Sequence, residues 1–283
     1  MEEIIGIKSS TQANYNIAVN SFFSFLNVED PIEFLRTKQP AEIVNLLDTW
    51  IMGLNVKEYT KVTKLSSTRS MIQNALNISL PKQKVSRLLS KYIPRKSTKE
   101  LLTKEEVDKL RKHFLDKAKQ AQSDSSKVIN MKNYLLVALL AGTGQRIQDI
   151  LNLTCEQAKK PFIHFKQQKT GMEGFIENPC LGEILAYIQL SGLNDSDYLF
   201  AVGFLRKPMS RTMAYGIISK AALLVLQKER IGPHCFRKYV ANRLADIGES
   251  DRSIQAVTLH GSRSMVEYYQ KNADAPNNLK EKL

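Results

Sequence analysis

Six side chains are spread through the second half of this 283-residue chain in an order that suits one kind of chemistry: Arg146, Lys169, His234, Arg237, His260 and Tyr269. Three cations and two imidazoles can hold a phosphodiester and neutralise charge as it builds on phosphorus. A phenol can attack that phosphorus and stay attached to the cut end. The chain has only 4 histidines, and two of them fall in this series. Taken singly, each member reads as an ordinary residue: a surface arginine, a solvated hairpin lysine, an exposed His-x-x-Arg, a packed tyrosine. The ordered set carries the weight.

The local sequence says how each is presented. Arg146 follows the Gly142-Thr143-Gly144 break and opens a helix expected over Gln145 to Leu153, with Asp149 one turn on to hold the guanidinium in register. Lys169 lies in a Lys169-Thr170-Gly171 turn between two short β-rich runs, Phe162 to Phe165 and Gly174 to Ile176, which predicts a hairpin. Pro233 suits the first turn of a helix, so His234 and Arg237 share one face near a helix N-terminus, where free amides already favour an anion. Phe236, Val240 and Leu244 then form the buried ridge of that helix and leave the His/Arg face open. His260-Gly261-Ser262-Arg263-Ser264 leads on to Tyr268 and Tyr269.

Helix predominates elsewhere. Ser10 or Thr11 is expected to cap a helix through Tyr15, Val19, Phe22, Phe23 and Leu26, and Pro31 and Pro40 stand where helices begin. Further helices are expected over Ala41 to Leu54, Ser67 to Leu76 and Lys82 to Tyr92. Between Lys82 and Lys99 the charges are all basic: Lys82, Lys84, Arg87, Lys91, Arg95, Lys96 and Lys99. Such a run is either a solvated face or a track along DNA, and Pro94 to Lys99 has linker composition. After it, Thr103 and Glu106 form a capping box that starts a new helix. Met131 to Leu140 is an apolar helix ending at the glycine turn, and the chain returns to helix from Leu181, punctuated by Ser210, Pro233 and Gly248. The fold class expected is mainly α with a small β-hairpin. Residues 1–93 form a helical domain, 94–101 a linker, and 102–283 a mixed, mostly helical domain with a tail over 270–283.

Bulk composition is consistent with this. Apolar residues make up 43% of the chain, enough for a buried core, and the formal charge is +13, which favours a polyanionic partner. Cys155, Cys180 and Cys235 are 3 in number with no Cys-x-x-Cys spacing, arguing against a disulfide framework or structural zinc and for a reducing compartment. Glu2 and Glu3 open the chain, unlike a signal peptide. The longest apolar stretch, Tyr134 to Ala141, is far short of the ~20 residues of a membrane span.

With these stations in place, the chain resembles the tyrosine recombinases, the phage-integrase-like or Xer-like family. Gly142 to Asp149 followed by Leu151-Asn152-Leu153-Thr154 looks like the family's first arginine box, Lys169-Thr170-Gly171 like its hairpin lysine, and His234 with Arg237 like its His-x-x-Arg box. His260 looks like the final histidine, and the family's nine-residue step from it selects Tyr269 over Tyr268. The family usually writes Leu-Gly-His, where this chain has Leu259-His260-Gly261, and leucine where it has Phe236.

The resemblance implies a site-specific recombinase that cuts and rejoins DNA through a 3′-phosphotyrosyl intermediate, in integration, excision or resolution. Tyr269 would be the nucleophile, and Arg146 and Arg237 the phosphate clamps. Lys169 would be the acid for the 5′ oxygen, His234 the proton relay, and His260 a phosphate ligand. No cofactor or metal is implied. The partners implied are double-stranded DNA sites and a homo-tetramer assembled on two of them, from a monomer or weak oligomer when free, in the cytoplasm with the nucleoid. The N-terminal helices resemble the family's core-binding domain, with Lys82, Lys84, Arg87, Lys91, Arg95 and Lys96 as DNA contacts. The tail from Gln270 either docks on a neighbouring subunit or frays. Two alternatives stand beside it: a type IB topoisomerase-like nicking and resealing enzyme with a closely similar residue set, and a catalytically inactive DNA-binding relative, against which the presence of all six groups argues. The length leaves little room ahead of Thr11 for an arm-binding domain, which leans towards a small Xer-like enzyme.

Overall fold

A computed structural model describes residues 9–92, 101–167 and 171–259. The chain divides into two units, Met1–Ser97 and Thr98–Leu283.

The first unit is helical: α1 (Ser9–Leu26), α2 (Pro31–Arg36), α3 (Pro40–Gly53), α4 (Glu58–Asn74) and α5 (Lys82–Tyr92). Both prolines stand at the first helical position, where a missing N–H costs nothing. Asp30 caps α2 by accepting the amides of Ile32 and Glu33, each at 3.0 Å. The core gathers around Phe22 and Trp50, whose ring centroids lie 5.2 Å apart, with Leu35, Ile43, Leu47, Ile51, Leu65 and Ile72 completely or almost completely buried. Two details differ from the sequence reading. α1 already runs at Ser9, so Ser10 and Thr11 lie inside its first turn and not at its cap. α4 starts at Glu58, nine positions before the expected Ser67, and Ser67 and Thr68 are buried residues in its middle.

The second unit is built around one helix. α6 (Lys104–Lys119) opens with the expected capping box: the Glu106 amide donates to Thr103 Oγ1 at 3.3 Å, and the Thr103 amide to Glu106 Oε2 at 3.0 Å. α7 (Asp124–Thr143) begins well before Met131 because Ser123 caps it, accepting the Ser126 amide at 3.2 Å. From Asn133 to Leu140 every residue of α7 is buried, so this stretch has no solvent face and acts as the central strut. Around it pack α6, α10 (Leu181–Ser191), α11 (Arg211–Leu226) and α12 (Pro233–Asp246).

Shorter elements fill in the remainder. α8 (Ile147–Leu151) and α9 (Cys155–Ala158) follow α7, and α13 (Asp251–Thr258) closes the described chain against α12 and β2. The expected hairpin forms from β1 (Phe162–Lys166) and β2 (Glu173–Glu177), antiparallel, with Lys166 opposite Glu173. A second, two-residue pairing of β3 (Ala201–Val202) with β4 (Lys207–Pro208) falls in a stretch read only as helical. It is too short to show a period of two. Among the described residues no helix is long and apolar enough to cross a membrane.

Candidate active site

The site begins where α7 stops. Gly144 takes a left-handed conformation (φ +63), and its amide closes on the Leu140 carbonyl at 3.1 Å. A β-carbon there would lie 3.0 Å from Val240 Cβ and Cγ1 of α12, so both the backbone hand and the close approach call for glycine. Gly142, just before it in the last turn of α7, admits Pro179 so closely that a β-carbon would be 2.5 Å from its ring.

Beyond the turn, Arg146 is the N-cap of α8, in extended conformation (φ −67, ψ 143). The helix expected over Gln145 to Leu153 is therefore only five residues long. As a cap, Arg146 stands outside the helical repeat that would relate it to Asp149. Asp149 itself is buried in the first turn of α8. Arg146 is half-buried, and its Nη1 is buried without a hydrogen-bond partner among the described residues. A buried guanidinium N–H left unpartnered is costly, so this is a position prepared for an acceptor.

α12 supplies the next two residues. Pro233 occupies its first position after Gly232, no side chain caps it, and His234 is exposed in its first turn. Arg237, one turn on, is only 2% exposed, and its Nη1 donates to the Gly144 carbonyl at 2.9 Å. That hydrogen bond ties two segments more than ninety positions apart in sequence: the arginine of the His-x-x-Arg box is docked on the turn that delivers Arg146. The open His/Arg face expected for this helix does not form. Cys235 to Ala241 are all buried, because α12 is clasped between α7, α11 and α13.

The hairpin brings its own root to the same place. The Gln167 amide donates to the Met172 carbonyl at 2.8 Å, and the Gly171 amide to the Gln167 carbonyl at 2.9 Å, closing the turn that contains Lys169. Lys169 itself lies outside the described residues, as do His260, Tyr268 and Tyr269. Sequence reasoning passed over two buried amides here. Gln145 and Gln167 are each 1% exposed, and they are hydrogen-bonded to one another and to the end of α13. One signal was available: the inward positions of β1 run Ile163, Phe165 and then Gln167, a polar side chain where an apolar one continues the pattern.

In the first unit, Lys82, Lys84, Arg87 and Lys91 are exposed on α5, whose other face buries Val85, Leu88 and Tyr92. Lys91 is engaged by Asp48 Oδ2 at 2.5 Å. The same Asp48 carboxylate accepts from the Tyr92 hydroxyl at 3.3 Å, and burial together with that negative charge raises the Tyr92 pKa. Arg95 and Lys96 lie outside the described residues.

The phage integrase family matches residues 100–275 of the chain, from the start of the second unit to beyond Tyr269. The chain belongs to that family. Among curated relatives of this phage integrase family member, a tyrosine recombinase of Pseudothermotoga lettingae is 27% identical over 245 residues, covering 81% of this chain and 82% of the relative. The tyrosine recombinase XerA of Pyrococcus furiosus is 29% identical over 198 residues, covering 66% of this chain and 62% of its own. Among solved structures, XerH recombinase bound to a palindromic difH substrate in a post-cleavage complex superposes with a TM-score of 0.64 at 17% identity, over 93% of this chain and 75% of that one. At that identity the likeness shows the fold, and the fold is that of the tyrosine recombinases. As a member of this family the chain is a site-specific DNA recombinase, an enzyme that cleaves and rejoins DNA through a phosphotyrosyl intermediate.

Proposed function

We propose that Arg146, Lys169, His234, Arg237, His260 and Tyr269 form one active site on a scissile DNA phosphate. The observation that carries the reading is the hydrogen bond from Arg237 to the Gly144 carbonyl. It holds one guanidinium against the turn that ends in the other, and Arg146 keeps a buried N–H available for an acceptor.

Tyr269 Oη attacks phosphorus, a phosphotyrosyl bond forms at the 3′ side, and the bond to the 5′ oxygen breaks. Arg146 and Arg237 hold the non-bridging oxygens, where fixed donors act on developing charge at ~3–4 kcal/mol each. His234 takes up the phenolic proton; with a free pKa of ~10, that phenol is mostly protonated at neutral pH. Lys169 gives its proton to the departing 5′ oxygen, and His260 hydrogen-bonds a phosphate oxygen. The link conserves bond energy, so a second 5′-hydroxyl reverses the attack without a nucleotide cofactor.

In this reading residues 1–93 form the core DNA-binding domain and 102–283 the catalytic domain, joined over 94–101. The basic residues Lys82, Lys84, Arg87, Arg95 and Lys96 follow the DNA backbone. Four copies act on two sites, and the enzyme works with the nucleoid.

The test is a suicide DNA substrate, from which the cut fragment escapes and the covalent protein–DNA adduct accumulates. Tyr269→Phe is expected to abolish the adduct while DNA binding persists. Disappearance of the adduct with Tyr268→Phe, but not with Tyr269→Phe, would move the nucleophile to Tyr268.

A further inference from the structure

A buried cluster of amides lies between the glycine turn, the hairpin and the end of α13, and none of the six residues above belongs to it. Gln145 Nε2 donates to the Thr143 carbonyl at 3.1 Å and to the Val257 carbonyl at 2.8 Å. Its Oε1 accepts Gln167 Nε2 at 3.4 Å, and that same nitrogen reaches the Thr258 carbonyl at 3.3 Å. Thr143 completes the arrangement: its Oγ1 accepts the Gln145 backbone amide at 3.3 Å and donates to the Leu139 carbonyl at 2.6 Å. Both Gln145 amide protons and its oxygen are thus matched. In a buried setting a mismatch of even one such group is expensive, so the cluster fixes its members in one arrangement.

Each arm ends beside a residue of the active site. Gln145 immediately precedes Arg146. Gln167 is the root of the Lys169 turn, which it closes with backbone hydrogen bonds in both directions. Val257 and Thr258 end α13 shortly before His260 in the sequence. Gln167 also occupies a core-facing position that continues β1, whose other inward residues, Ile163 and Phe165, are apolar.

We infer that Gln145 and Gln167 are positioning residues: a buried amide pair that sets the root of the Lys169 turn against the turn presenting Arg146, so that the lysine meets the departing oxygen. The inference rests on the reading of Lys169 as the general acid and extends it to side chains that touch no substrate. Gln167 acts through the hairpin root, and Gln145 fastens that root to the arginine turn.

The test compares full-length proteins on two suicide substrates, one with the natural 5′-bridging oxygen and one with sulfur there. A thiolate leaves without being protonated, so the sulfur substrate needs no acid. Gln167→Met keeps the side-chain length and removes the amide. It is expected to slow adduct formation at least about tenfold on the oxygen substrate, up to the ~10²–10⁴ that a general acid supplies in all, and by less than about threefold on sulfur. Gln145→Met is expected to show the same pattern and is the variant to read should Gln167→Met fail to fold. Lys169→Ala is the control. If the wild-type chain forms no adduct, or sulfur fails to restore Lys169→Ala, the active-site reading itself falls. If sulfur restores Lys169→Ala, but the glutamine variants are unslowed or slowed equally on both substrates, the positioning role alone is overturned.

Discussion

Arg146 and Arg237 carry the same charge into different surroundings, and their substitutions should separate accordingly. Arg146 keeps a buried N–H without a partner among the described residues, and in the proposed site that N–H takes a phosphate oxygen. Arg146→Ala is therefore expected to slow cleavage by about two to three orders of magnitude, the usual cost of one fixed donor at a developing oxyanion, with the thermal midpoint unmoved. Arg237 is bonded to Gly144, so Arg237→Ala should lower both adduct formation and the thermal midpoint; a variant that loses activity alone would contradict that bond. The cysteines give a pH signature. Burial pushes the thiols of Cys155 and Cys180 from the usual 9.0 up to about 11 and about 12. Above pH 9 the unfolded chain then releases protons that the folded chain keeps. The stabilisation from holding these thiols neutral is complete below the unfolded value and is lost as pH rises towards the folded ones. Urea unfolding should show stability falling on the alkaline side of pH 9, with a shallower fall in a Cys155→Ala, Cys180→Ala variant.

Among the elements, the end of α7 decides most. Gly144 stops the helix, turns the chain towards Arg146, offers its carbonyl to Arg237 and leaves the space into which Val240 of α12 packs. Gly144→Ala forces a β-carbon into a left-handed residue and against a branched side chain. The expected loss is about 1–3 kcal/mol of unfolding free energy, as for other residues held in sparsely populated backbone regions. Because the same residue seats α12, cleavage should fall with it; a variant as stable and active as wild type would show that the α7–α12 seat is not tight. α8 makes a related point. Its five residues leave Arg146 at a cap, where a short element can set the direction of a side chain without the constraint of neighbouring helical turns.

For the whole molecule, a charge of +13 makes DNA affinity a salt-dependent quantity. If α5 lies on DNA, replacing the exposed Lys82, Lys84 and Arg87 with glutamine should flatten the dependence of log affinity on log salt by up to ~0.9 for each phosphate no longer neutralised. Lys91→Gln should change the slope little, because Asp48 already holds that ammonium. Fluorescence anisotropy across a salt series measures both, and an unchanged slope in the triple variant would take α5 off the DNA. The sequence by itself determined the predominance of helix, the prolines that open α2, α3 and α12, the capping box of α6, the hairpin, and the order of the six chemical residues. All of these are written in short-range patterns of apolar period, cap and turn residues. Only the tertiary structure decided that α12 is buried nearly all round, that Arg237 is anchored on Gly144, and that Gln145 and Gln167 meet as a pair in the interior. Periodicity reports the face a residue shares with its neighbours in sequence. Which polar atoms meet in the interior depends on segments brought together from far apart along the chain, and no local pattern encodes that pairing.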